Sequence, residues 1–144
     1  MKANMKAAIV FGSPEQGVRY TERRAAYVVI INNGMVAVVK SLEKNFLPGG
    51  ASLHGEAPEK TVAREVYEEL GQGVRLIRKL GEAVQYFYSA ADDRHYKMLA
   101  VFFAGEFTDK SCPGTGEHEL FWMPITEARE ACFHACHAWA VCRA

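Results

Sequence analysis

The 144-residue chain has no long apolar run, no excess of either charge and few cysteines. Each shortage narrows what the protein does. The longest unbroken apolar run is residues 25–31 (AAYVVII), seven in all, where a membrane helix needs about 20. No transmembrane helix and no membrane partner are therefore expected. Apolar residues 7–11 fall short of a secretory signal's apolar core of roughly 7–15 residues. Seventeen Lys+Arg balance seventeen Asp+Glu, so the chain lacks the basic footprint that grips long nucleic acid. Four cysteines without a secretory signal read as reduced thiols of a cytoplasmic protein, not as a disulfide framework. With no repeat, linker or low-complexity tract, a single domain over residues 1–144 is expected.

What is present is an ordinary globular composition, 49% apolar and 24% charged, which excludes intrinsic disorder. Residues 20–40 read as a hairpin, its two Val- and Ile-rich runs joined by the turn Asn32-Asn33-Gly34. Residues 45–52, with one proline and two glycines together, read as a loop. Pro58 suits a first helical turn and Gly71 a left-handed cap, so a helix is predicted over 57–70. Residues 74–89 read as extended with a break near Gly81, 96–107 as a strand, 108–116 as a loop and 120–123 as a short strand. A final helix follows, capped by Thr126 and running toward Cys142. Several strands with a central and a terminal helix make an α+β domain.

The informative segment runs from Gly49-Gly50 through Glu56 to Arg64-Glu65-Val66-Tyr67-Glu68-Glu69-Leu70-Gly71. Residues three and four apart share a helix face, so Glu65 stands over both Glu68 and Glu69. Val62, Val66 and Leu70, with Ala63 beside them, form a separate apolar stripe. Three crowded carboxylates repel one another, and Arg64 is one cation against several anions. Hard divalent ions prefer such oxygen ligands, and the glycine pair lets a substrate approach the backbone. Three glutamates alone are what any solvated helix face carries. The glycine and arginine spacing adds what a solvated face does not need.

That spacing is Gly50, five residues, Glu56, seven residues, then Arg-Glu-apolar-x-Glu-Glu-x-Gly. It matches the Nudix box, and the chain resembles a Nudix hydrolase of the MutT type. Gln72 stands where the family pattern has an aliphatic residue, a packing position that Val74 can serve. Looser similarity extends along residues 23–30, 46–50 and 122–124. The resemblance implies the Nudix fold, a mixed sheet sandwiched between helices. It implies Mg²⁺, or Mn²⁺ in its place, held by Glu65, Glu68, Glu69 and the Gly49 carbonyl, with Arg64 paired to Glu56 and holding the carboxylates. The implied reaction is attack of water on a diphosphate linking a nucleoside to another group. Glu65 is the first choice as general base, and Glu117 and Glu119 are the distant candidates. Gly71 closes the box, and Gly50 lets the substrate approach.

For the substrate's base, Tyr86 and Tyr88 share one face of a strand and Phe87 takes the other, so one face is a candidate stacking platform. Arg23, Arg94 and Lys97 are candidate phosphate or base contacts. Cys132, His134, Cys136 and His137 resemble a metal cluster, but structural zinc usually takes paired motifs with four ligands, and buried thiols are the ordinary explanation. The leading expectation is a Mg²⁺-dependent nucleoside triphosphate pyrophosphohydrolase acting on a small nucleotide. The alternatives are a hydrolase of nucleotide sugars, dinucleoside polyphosphates or RNA 5′ ends, and a non-catalytic nucleotide sensor. The natural substrate, and whether the chain forms a homodimer, are left open by the sequence.

Overall fold

A computed structural model describes residues 8–111 and 118–144 of the chain. In chain order the elements are β1 (Ile9–Phe11), β2 (Tyr20–Val29), β3 (Ile31–Asn32), β4 (Met35–Ser41), β5 (Lys44–Phe46), β6 (Gly49–Ala51), α1 (Pro58–Leu70), β7 (Gln72–Ser89), β8 (Arg94–Ser111), β9 (Glu119–Pro124), α2 (Ile125–Ala131) and α3 (Ala135–Arg143). One sheet is mixed, in the order β1-β7-β8-β2-β6, with β1 parallel to β7 and β2 parallel to β8. In the second sheet β4 pairs antiparallel with β3, β5 and β9. Among the described residues no helix is long and apolar enough to cross a membrane.

Strand β2 explains the layering. Ala25, Tyr27 and Val29 face a core completed by Ala128 of α2 and Cys136, Ala140 and Val141 of α3. Ala26, Val28 and Ile30 face a core completed by Val62 and Val66 of α1. A strand covered on both faces reads as a continuous apolar run rather than an alternation, which is why residues 25–31 look as they do. Burying Val62 and Val66 stabilises the helix by about 1.5–3 kcal/mol each, independently of its polar face. The expected α+β architecture, a mixed sheet between helices, is the one found.

Five sequence expectations need correction. The turn at Asn33-Gly34 forms, but it joins only β3 to β4, and β2 pairs instead with β8 and β6. The chain leaves one sheet and enters the other near Ile30, so the two runs belong to different sheets. Residues 45–52 are not all loop: Lys44–Phe46 and Gly49–Ala51 are strands that pair with β4 and β2. On α1 the buried positions are Thr61, Val62 and Val66, whereas Ala63 is exposed and Leu70 only half-buried. The last helix is two, α2 and α3, broken at residues 132–134, and α2 starts from Pro124 with no side-chain cap from Thr126. Near Gly81 strand β7 continues through a register shift rather than ending.

The break between α2 and α3 buries two histidines. His137 is fully buried, and its Nδ1 accepts a hydrogen bond from the Leu47 amide at 3.1 Å. Among the described residues its Nε2 has no hydrogen-bond partner, and the rings of Tyr27, Phe46 and Phe102 surround the imidazole. His134 is also buried, 4.5 Å from the Phe87 ring centroid. Burial holds both neutral: His134 is lowered to about 4, with Arg23 and Lys44 adding to the effect, and His137 lies well below the ordinary value.

An unfolded histidine takes its proton near pH 6.5, while folded His134 resists until about 4. The stability it contributes is therefore complete above about pH 6.5 and lost as the pH falls toward 4. The loss is on the order of 3 kcal/mol over that window. Urea unfolding near pH 7 and near pH 4.5 should show a steeper loss in the wild type than in His134→Asn, a difference in which the shared carboxylates cancel. Equal losses in the two proteins would mean that His134 is not held neutral.

Candidate active site

Helix α1 is anchored before its polar face begins. Glu56, just ahead of Pro58, accepts from the Leu53 amide at 3.0 Å and from the Thr61 hydroxyl at 2.8 Å. Arg64 then grips it with two prongs, Nε to Oε2 at 2.8 Å and Nη2 to Oε1 at 3.0 Å. The same guanidinium donates to the Ala51 carbonyl at 2.9 Å and to Glu68 at 3.2 Å. Glu56 is lowered to about 2, first by the Arg64 hydrogen bonds and then by the Leu53 amide. Arg64 is pushed up, first by Glu56. This is a charge-assisted fork that locks the helix to the end of β6.

The fork sets the acid face against the glycine pair. The Gly49 amide donates to Glu69 Oε1 at 3.2 Å. A Cβ on Gly50 would stand 2.3 Å from Glu65 Oε2, so the carboxylate occupies the space a side chain would take. Glu65 is raised to about 6, chiefly by burial, with Glu68 adding to the shift and Arg64 opposing it. Gly49 has φ 137°, and a Cβ there would lie 2.2 Å from the Ala26 carbonyl oxygen. The pair thus meets two separate requirements, backbone conformation at Gly49 and room at Gly50.

Glu65, Glu69, Gly49 and Gly50 line one part of a cavity of about 720 Å³. Its remaining wall carries Arg23, Lys44, Phe46, Phe87, Phe133 and His134. The Arg23 guanidinium carbon lies 5.3 Å from the Tyr96 ring centroid, and its buried Nε has no hydrogen-bond partner among the described residues. Phe87 stacks on Tyr96 at 5.4 Å. One enclosure therefore brings the box carboxylates together with cationic and aromatic side chains.

The predicted residues divide as follows. Glu65, Glu69, Gly49, Gly50 and Arg23 meet at the cavity, while Glu68 stands beside Arg64 on the exposed side of α1. Arg64 and Glu56 are outside the cavity wall and act through the helix they position. Gly71 adopts φ 65° and caps α1 as expected. Tyr86 and Tyr88 are not on the wall: Tyr86 packs on Tyr20 at 5.2 Å, and Tyr88 packs on His95 and donates to Asp93. Strand alternation presents Phe87 instead. Glu119 opens β9 opposite Lys40 and is exposed, and Glu117 lies outside the described residues. Sequence reasoning missed Lys44, Phe133, His134 and His118, the last of which lines the cavity and donates its amide to the Glu69 carbonyl at 3.0 Å. The aromatic–histidine run at 132–137 was the available signal. Cys136, buried, donates its amide to Gln85, and burial pushes the Cys132 and Cys136 thiols up to about 11 and about 12.

The donor set fits a hard divalent cation by chemistry: carboxylate oxygens on one helix face, with space at Gly50 where a side chain would intrude. The carboxylates are not drawn into a ready-made cage. Among the described residues no group of three or more His, Cys, Asp or Glu stands close enough to hold an ion. Glu68 is turned to Arg64 and Glu69 to the Gly49 amide, while Glu65 lies beside Gly50, 3.8 Å from Arg64 Nη1 and close enough to Glu68 to be raised by it.

Comparison with known proteins gives the same picture. A family model for the NUDIX domain matches residues 21–140. The chain is 33% identical over 89 residues to a Mycobacterium tuberculosis protein named "Putative 8-oxo-dGTP diphosphatase 3". That match takes in 61% of this chain and 41% of the other, so the chain spans less than half the length of that relative. A NUDIX hydrolase from Nitrosomonas europaea superposes with a TM-score of 0.66 at 18% identity, over 84% of this chain and 86% of that one. A MutT NUDIX hydrolase from Burkholderia pseudomallei gives 0.64 at 23% identity, over 85% and 98%. At those identities the likeness is one of fold.

The two glycines should respond differently to alanine. Gly49→Ala meets both an unfavourable φ and the backbone of Ala26, and should cost about 3 kcal/mol of stability in urea unfolding. Gly50→Ala meets only the end of a flexible glutamate, so stability should stay within about 1 kcal/mol of wild type. The Glu65 carboxyl resonance should nevertheless shift as that side chain is displaced. Equal destabilisation by the two variants would refute this division.

Proposed function

The chain belongs to the NUDIX family, and from that premise we propose that it hydrolyses the diphosphate of a small nucleotide, a nucleoside triphosphate before other members of that class. The carrying observation is the shared enclosure: box carboxylates, Arg23, Lys44 and aromatic rings line one cavity of about 720 Å³. Volumes of this order suit a single small molecule rather than a polymer. The name of the M. tuberculosis relative, an 8-oxo-dGTP diphosphatase, supports a deoxynucleoside triphosphate as the first substrate to try.

In this reading Glu65, Glu68 and Glu69, with the Gly49 carbonyl, would hold Mg²⁺ or Mn²⁺. Nudix hydrolases generally use divalent metals, and a bound cation supplies charge neutralisation at the phosphates and an acidified water. The chain's own residues do the rest. Glu65, half-buried at the wall beside Gly50, takes the proton from the attacking water. Arg23, with a buried and unpartnered Nε, binds phosphate, and Lys44 adds a second positive charge. Phe87 and Phe133 present ring surface to the base. Arg64 and Glu56 touch no substrate; they keep the acid face registered against β6.

The test is a panel of deoxynucleoside triphosphates (oxidised guanine included), ADP-ribose, UDP-sugars and dinucleoside polyphosphates, assayed with Mg²⁺ for phosphate and pyrophosphate. Release of pyrophosphate and a nucleoside monophosphate is expected. Glu69→Gln should lower turnover about 10²-fold or more while stability holds or rises, since one repelling charge is gone. Nucleotide binding without turnover on any substrate would favour a sensor. Full metal-dependent turnover in Glu69→Gln would remove this helix from the reaction.

A further inference from the structure

The two hairpin turns that flank β4 share a shape and differ in chemistry. Asn33-Gly34 joins β3 to β4 and Leu42-Glu43 joins β4 to β5, each a two-residue connection closed by a pair, Asn32 with Met35 and Ser41 with Lys44. All four turn residues have positive φ, 53° and 76° in the first and 50° and 64° in the second. Asparagine and glycine are what such a turn favours. Leucine and glutamate bring a Cβ into the left-handed region with no short polar group to offset it, and so sit there under strain. The first turn shows that the fold does not require this.

The location of Leu42 supplies a reason. The residue is 75% exposed, yet it lines the cavity that holds Glu65 and Glu69. Phe87 and Phe133 line the same cavity, and Lys44, next to the strained turn, lies 4.3 Å over the Phe133 ring. The turn after β7 also borders it and is pinned, with Tyr88 donating to Asp93 at 2.6 Å and Tyr96 to Asp92 at 2.8 Å. An exposed apolar side chain held in an unfavourable backbone conformation thus stands at the rim of an aromatic-lined chamber.

We propose that Leu42 is a specificity-determining residue whose side chain packs on the nucleobase of the bound nucleotide, covering the subsite made by Phe87 and Phe133. The proposal rests on the nucleotide reading above. A base has two flat, weakly hydrated faces; the aromatic side chains serve one and Leu42 covers the other, removing apolar surface of both partners from water. The gain is confined to ligands that carry a base.

Two variants separate side chain from turn shape. Leu42→Asn and Glu43→Gly each relieve the left-handed backbone, but only the first removes the apolar group. Calorimetric titration with Mg²⁺ present would compare the four deoxynucleoside monophosphates with base-free ribose 5-phosphate. Wild type should bind at least one nucleotide more tightly than ribose 5-phosphate. Leu42→Asn should raise the thermal midpoint, weaken that nucleotide about 10-fold and leave ribose 5-phosphate unchanged. Glu43→Gly should also raise the midpoint but keep nucleotide affinity within about 2-fold of wild type. Unchanged nucleotide affinity in Leu42→Asn overturns the role of Leu42 alone. So does equal weakening by Glu43→Gly, or weakening of ribose 5-phosphate to the same degree. No preference for any nucleotide in wild type overturns the nucleotide reading and this proposal with it.

Discussion

Arg64 reaches from the first half of α1 to the loop before it, to the last residue of β6 and to Glu68 one turn on. A helix packed only through Thr61, Val62 and Val66 has its core face fixed, but such contacts leave small slides along and around its axis inexpensive. Directional bonds to Glu56 and the Ala51 carbonyl remove that freedom, because a planar guanidinium satisfied on two edges fixes both angle and register. The position of Glu65 beside Gly50 and of Glu69 against the Gly49 amide follows from this tie. Lysine, a point charge without a fork, would keep the sign and lose the geometry.

How much of this was legible in the sequence depended on whether the information was local. Helix α1 was readable because its start, its left-handed end at Gly71 and its acid face are all set within fifteen or so residues of chain. The box spacing likewise carried Glu56, Arg64 and the glycines together. The pairing of β2 was not readable, because its apolar run is equally consistent with a hairpin partner and with a central strand, and only the helices on its two faces decide. The same limit applies to Tyr86, Phe87 and Tyr88. Alternation separates them into two faces, but which face meets the cavity is fixed by α3 and the turn around Phe133, far along the chain. The break at 132–134 has no proline or glycine to announce it. It is imposed by tertiary packing, with Phe133 donating its amide to the Asn45 carbonyl and the Asn45 side chain to the Ala131 carbonyl.

That break also shows how the decoy cluster and the cavity are connected. His134 and His137 are held neutral by burial, so they act as polar aromatic rings rather than as cations. Protonated, His134 would place a third positive charge near Arg23 and Lys44, both of which oppose it. Neutral, it extends the ring surface from Phe87 toward Phe46 and Phe133. Of the residues that mimicked a metal site in sequence, His134 alone reaches the cavity wall, while Cys136 and His137 are buried in the core.

The charge distribution bears on why glutamates line the same cavity. A phosphate chain and the α1 face have the same sign, and two unit charges about 4 Å apart near a protein surface repel by about 4 kcal/mol. Arg64 offers little relief to an incoming anion, since four of its five N–H donors are already taken by Glu56, Ala51 and Glu68. Arg23 and Lys44 can hold phosphate but lie on the wall opposite in character to Glu65 and Glu69. If phosphate binding alone were the task, lysine or arginine on α1 would serve better and at lower cost to the helix. A face of repelling carboxylates, kept in register by one forked arginine, accords with the proposed reading, in which divalent cations would stand between those carboxylates and the phosphates.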